Sequence, residues 1–169
     1  MIQHYKQLCR DLAECLNTQN FEQVKQFYHQ DVTYSVMMNT GKFQDVHGVD
    51  EVLTVLQANF GASNDVIIDI EQMVCENKTV CLWGSLSGTT WMNITTTPFK
   101  FEATGWITFK DDKIIKFRWM PDTFAVLRLT GQVTYQMDDK DIINQYLDNL
   151  VEMGLIKEDM VTKSRLSLV

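Results

Sequence analysis

The feature that most constrains this chain is a change of hydrophobic period near residue 65. Beyond it come four runs of strand character: "DVIIDIEQMVCE", "KTVCLWGSLSGTTWM", "PFKFEATGWITFK" and "KIIKFRWM". Their β-branched and aromatic content, with apolar residues alternating along each run, predicts strands. Glu76-Asn77-Lys78, Thr95-Thr96-Thr97-Pro98 and Lys110-Asp111-Asp112-Lys113 separate them. Joins this short connect antiparallel neighbours, because a parallel connection needs a long crossover.

Before residue 65 the spacing is mostly helical. Tyr5, Leu8, Leu12 and Leu16 predict a helix over 2–16, broken by Asn17-Thr18-Gln19-Asn20. Phe21, Val24, Phe27 and Tyr28 predict a second short helix, and "DVTYSVMM" a first strand over 31–38. Gly48 opens a third helix through Phe60, which Gly61-Ala62-Ser63-Asn64 ends. Helices followed by antiparallel strands define an α+β fold. The expected architecture is a cone: a curved antiparallel sheet wrapped around the N-terminal helices, with a cavity between the layers. Gly84, Gly88 and Gly105 within strand patterns favour strong curvature. After Gln132, a stripe of Ile142, Ile143, Tyr146, Leu147, Leu150 and Val151 predicts a further helix at 139–153. The expected division is a cone domain over 1–132 and a C-terminal helical extension over 133–169, packed on that domain.

Charge and motif content narrow the function classes. A net charge of -7 without a basic run argues against nucleic acid, which requires clustered Lys and Arg. The charged, amphipathic N-terminus has no signal-peptide core, and no run approaches a membrane span, so the expected setting is cytoplasmic and away from membranes. The four cysteines form no Cys-x-x-Cys pair and read as reduced thiols. Metal-ligand spacing, a Gly-x-Ser-x-Gly elbow and a Gly-rich phosphate loop are all missing from the sequence. No cofactor and no metal are therefore expected.

The stretch "KFRWMPDTFAVLRLTG" carries the sharpest candidate. Asp122 stands between the last strand and an apolar segment ending at Gly131. An aspartate after Pro121 suits a helix N-cap. The same carboxylate beside Trp119, partly desolvated, suits an acid/base at a pocket mouth. Both roles stay open on the sequence. Tyr34, Trp106 and Trp119 are candidate pocket walls, which would favour a flat, ring-bearing hydrophobic ligand. Strand alternation also sends half of such residues to the opposite face. His47, before the helix-opening glycine, is a candidate donor at the cone mouth and equally an exposed loop histidine. Tyr28 and Tyr34 can offer a phenol to an oxyanion, or pack in the core with the hydroxyl at the surface.

Several segments together resemble the nuclear transport factor two-like superfamily, and within it the SnoaL-like polyketide cyclases. These are "FYHQDVTY", "HGVDEVLTVLQANF", "VCLWGSLSGTT" and "DKIIKFRWMPDTFAVLRLTG", and the likeness spans roughly residues 5–132. The resemblance implies a cone-shaped α+β fold, usually a homodimer, with a pocket at its open end. It implies a cofactor-independent cyclase, isomerase or hydrolase with Asp122 as catalytic acid/base. A non-catalytic ligand-binding or assembly module of the same fold is the alternative. Tyr34, His47, Phe60, Thr90, Trp106 and Trp119 are then the expected ligand contacts. Where the family has Gly-Thr-His, this chain has Gly88-Thr89-Thr90. The general-base and oxyanion positions of the related ketosteroid isomerases fall on Val36 and Leu12, which cannot perform that chemistry.

Overall fold

The computed structural model describes residues 2–37, 42–61, 65–90 and 98–129. The expected C-terminal extension at 133–169 and the turn at 95–97 lie outside the described residues.

Two helices open the chain: α1 (Ile2–Asn17) and α2 (Phe21–Phe27). α1 buries Tyr5, Cys9, Leu12, Cys15 and Leu16, a stripe at helical spacing. The Asn20 side chain accepts from the Gln23 backbone N–H and starts α2. Tyr28 is already extended, so β1 (Tyr28–Met37) begins three residues before the expected strand. β2 (Phe43–His47) follows as a strand where the sequence carries no strand signal. Gly48, at φ +82°, turns the chain into α3 (Val49–Leu56), a left-handed conformation that side-chain-bearing residues avoid. A π-helical turn (Gln57–Gly61) closes the expected helix and buries Phe60.

Four long strands follow: β3 (Ile67–Glu76), β4 (Thr79–Gly88), β5 (Phe99–Lys110) and β6 (Lys113–Pro121), then α4 (Thr123–Leu129). They join one six-stranded sheet in the order β2-β1-β6-β5-β4-β3. The pairings are antiparallel except β1 with β6, which run parallel. That exception follows from connectivity: β1 enters the sheet from the helical half and meets the last strand through a long crossover.

Alternation sets the two faces of the sheet. On β5, Phe101, Ala103, Ile107 and Phe109 point inward and are almost fully buried, while Lys100, Glu102 and Trp106 point outward. The core joins these inward residues to α1, α2 and α3 through Leu12, Val24, Val52 and Leu56. A bulge between Ile70 and Gln72 bends β3 against β4. Gly84 faces it so closely that a Cβ there would lie 2.1 Å from the Asp69 carbonyl oxygen. The free edge of β3 is tied to the end of α1: Asn17 Nδ2 donates to the Ile68 carbonyl at 3.0 Å, and the Ile68 N–H donates to Asn17 Oδ1 at 2.7 Å. Both backbone groups of an otherwise open edge are thereby satisfied.

Candidate functional site

The inner face of the sheet meets α1 around a small void of about 40 Å³. Leu12, Leu16, Ile68, Leu82, Phe117 and Trp119 line it, with the Cys9 thiol among them. This space holds a water-sized molecule and is too small for a ring. Trp119 packs edge-on against Phe117 at 6.1 Å between centroids, and Phe117 packs edge-on against Tyr34 at 5.3 Å. These rings form one wall of the interior.

Tyr34, in that wall, and Tyr28 are both buried. Burial pushes the ionisation of both phenols well above the ordinary tyrosine range. Tyr28 is also influenced by Tyr34 and Cys9. The Tyr28 hydroxyl is buried with no hydrogen-bond partner among the described residues. One of the two sequence readings put this hydroxyl at the surface; the structure places it inside, because Tyr28 starts β1 as a buried residue. Burial, followed by the influence of Cys75, pushes the Cys9 thiol up to about 12, so it remains protonated. All four cysteines are free thiols.

Asp122 sits at the junction of β6 and α4 and is exposed. Its N–H donates to the Glu102 carbonyl at 2.8 Å, and its Oδ1 accepts from the Ala125 N–H at 3.0 Å. The carboxylate therefore caps α4, with Oδ1 engaged in that contact.

The other candidates do not converge on one place. Trp106 pairs with Arg118 across β5 and β6, whereas Trp119 pairs with Gly105. Adjacent cross-strand pairs point to opposite faces, so Trp106 faces outward, 46% exposed, while Trp119 faces inward. His47 lies outward on β2, its Nδ1 3.3 Å from the Thr33 hydroxyl. Phe60 is buried under the end of α3, its carbonyl accepting from Gln19 Nε2 at 3.2 Å. The Thr90 N–H donates to Asp65 Oδ1 at 3.3 Å.

That last contact belongs to a clasp the sequence did not reveal. Asp65 Oδ2 accepts from the Thr89 N–H at 2.7 Å and from the Thr89 hydroxyl. The hydroxyl bond, then the backbone N–H bonds, hold the Asp65 carboxyl below its usual range. The partners lie more than twenty residues apart, so no local pattern announces them.

The outward face carries a groove of about 650 Å³. Thr33, Ser35, Asp45, His47, Lys116 and Arg118 are among its walls, with Trp106 at its side. The Ser35 hydroxyl donates to Asp45 Oδ1 at 2.6 Å, and the Arg118 guanidinium lies 4.6 Å from the Phe43 ring centroid. Among the described residues no three His, Cys, Asp or Glu side chains cluster as metal ligands, and no helix is long and apolar enough to cross a membrane.

The family model of the SnoaL-like domain matches residues 9–117. The chain belongs to the SnoaL-like family. Solved structures share its fold. AclR from Streptomyces galilaeus superposes with a TM-score of 0.68 at 14% identity, over 80% of this chain and 89% of that one. An NTF2-like protein from Burkholderia pseudomallei gives 0.63 at 16% identity, over 75% and 97%. An LEH-like epoxide hydrolase from M. tuberculosis gives 0.61 at 16% identity, over 78% and 92%. No curated protein matches. At these identities the structural likeness establishes the SnoaL-like, NTF2-like α+β architecture, whose sheet is curved and unclosed.

Proposed function

We propose that this SnoaL-like protein binds a small hydrophobic molecule between α1 and the inner face of the sheet. The carrying observation is the lining of the interior void, which apart from the Cys9 thiol is entirely apolar. Such a wall rewards an apolar guest and penalises a charged one. Trp119 and Phe117 give it aromatic surface for a flat ring, once α1 moves to widen the space. The likeness to an epoxide hydrolase structure supports a small-molecule role, since that protein's fold is shared over most of its length.

Within this reading the chain is a binding protein first. Asp122 spends Oδ1 on its own helix, and it is exposed rather than desolvated. A catalytic reading stays specific and testable: Oδ2 makes no hydrogen bond among the described residues, so it is the oxygen that would move a proton in a cofactor-independent cyclase, isomerase or hydrolase reaction. The reading includes a homodimer in the cytoplasm.

A panel of planar hydrophobic compounds, titrated while tryptophan emission and melting temperature are followed, tests the binding. Ligand should quench Trp119 and raise the melting temperature. Leu16→Trp, which fills the void, should abolish both effects; retention of binding in that variant would overturn the site. Asp122→Asn should leave binding intact. Loss of turnover of a bound compound in that variant would establish the catalytic reading.

A further inference from the structure

Lys116 and Arg118 stand two residues apart on β6, so both side chains leave the same face of the sheet, and both are exposed. Neither makes an ion pair among the described residues. Like charges held this close repel, and the chain as a whole carries a net charge of -7. The two cations line the outward groove of about 650 Å³, and nothing in the packing of the sheet accounts for them.

The register gives their surroundings. One row across four strands reads Trp106, Arg118, Ser35 and Asp45. The next row sets Lys116 between Thr108 and Thr33. All of these residues line the groove. The Arg118 guanidinium lies over the Phe43 ring, 4.6 Å from its centroid, which occupies a face of the guanidinium and leaves its N–H edge for an acceptor. Trp106, the other cross-strand neighbour of Arg118, is 46% exposed and offers an open indole surface. Asp45 limits the charge of a guest. Its Oδ1 accepts from the Ser35 hydroxyl at 2.6 Å, which fixes a carboxylate in the same row as Arg118. Two cations against one such carboxylate favour a single negative charge over a dianion.

We propose that this groove is a binding site for planar aromatic carboxylates. The carboxylate of the guest meets the N–H edge of Arg118 and the Lys116 ammonium, and its ring lies against Trp106. Cross-strand neighbours stand about 5 Å apart, a distance that an aryl carboxylate spans. Guanidinium–carboxylate hydrogen bonds are charge-assisted and directional, and an indole surface selects a flat ring. The volume of the groove falls within the range of small-molecule sites. The site lies on the opposite face of the sheet from the interior void, so it stands apart from the ligand reading above.

Calorimetric titration with 2-naphthoate tests the proposal, with circular dichroism confirming that each variant folds. The wild type should bind it, more weakly as salt is raised. Arg118→Gln should weaken binding by about tenfold and Trp106→Ala by about fivefold. Asp45→Asn, which keeps an acceptor for Ser35 and removes the charge, should tighten it by about threefold. The uncharged 2-naphthamide and inorganic phosphate should each bind at least tenfold more weakly than 2-naphthoate. Leu16→Trp fills the interior void and should leave 2-naphthoate affinity unchanged, so the two sites fail separately. A wild type that binds no 2-naphthoate overturns the proposal, including one whose groove a second copy of the chain covers. So does affinity indifferent to Arg118→Gln and Trp106→Ala, equal affinity for 2-naphthamide or phosphate, or loss of 2-naphthoate binding in Leu16→Trp.

Discussion

The two faces of this sheet are made by the same strands and have opposite chemistry. Inward, β5 presents Phe101, Ala103, Ile107 and Phe109, all nearly inaccessible; outward, one residue along, it presents Glu102, Thr104, Trp106 and Thr108. Beside α1 the inner face is committed to packing, with a void of about 40 Å³. The outer face keeps a groove of about 650 Å³, two cations without an ion pair among the described residues and two half-exposed tryptophans. The lesson is that aromatic content alone does not locate a pocket. In this fold, the parity of a residue along its strand decides whether a tryptophan faces the interior or the solvent.

The comparison breaks most visibly on neighbouring residues. Ile107→Asp places an unpaired carboxylate in the core, a cost of several kcal/mol against a typical total of about 5–15 kcal/mol. That variant should lose its cooperative melt. Trp106→Asp, one residue away, should keep the fold and its thermal transition, because its side chain already faces water. Far-ultraviolet circular dichroism on the pair is sufficient.

A smaller effect is expected where α1 is tied to the sheet edge. Asn17→Ala leaves the Ile68 N–H and carbonyl without their partner, a loss of about 1–3 kcal/mol by denaturant titration. Hydrogen exchange at Ile68 should accelerate in the same variant.

Smaller still, and of opposite sign, is the effect of removing the orphan hydroxyl. Tyr28→Phe should stabilise the protein by about 1 kcal/mol, since the buried oxygen has no partner to lose. Both buried phenols have raised ionisation. Their contribution is therefore full below about pH 10 and is lost as the pH rises toward the folded-state values. Tyr28→Phe should delay alkaline unfolding, and an earlier onset would contradict this account.

The smallest effect is at the Asp65 clasp. Its folded carboxyl is depressed, so its contribution is present above the unfolded value near about pH 3.9 and is lost as the pH falls through the folded one. Asp65→Asn should lower the melting temperature slightly at neutral pH and match the wild type in strong acid.

Much of this architecture was legible in the sequence. α1 and the four long strands announce themselves through period, and Glu76-Asn77-Lys78 and Lys110-Asp111-Asp112-Lys113 fall at hairpin turns. β2 was missed because "FQDVH" is a polar edge strand without a buried alternating face. The early start of β1 was missed because Tyr28 continues the apolar spacing of α2 while its backbone is already extended. The site was less legible. Asp122 could be placed at the end of β6, but which oxygen caps α4 depends on local geometry. Trp106 and Trp119 looked equivalent until the β5–β6 register separated them: the first opposes Arg118 and the second Gly105.

Fluorine NMR of the protein labelled with 5-fluorotryptophan tests the division of labour between the faces most directly. Adding a planar hydrophobic ligand should shift the Trp119 resonance and leave those of Trp83 and Trp106 in place. Diluting the protein without ligand should leave the Trp119 resonance in place. Trp106 and Trp119 responding together to the ligand would contradict the account, because it would mean that one site draws on both faces of the sheet.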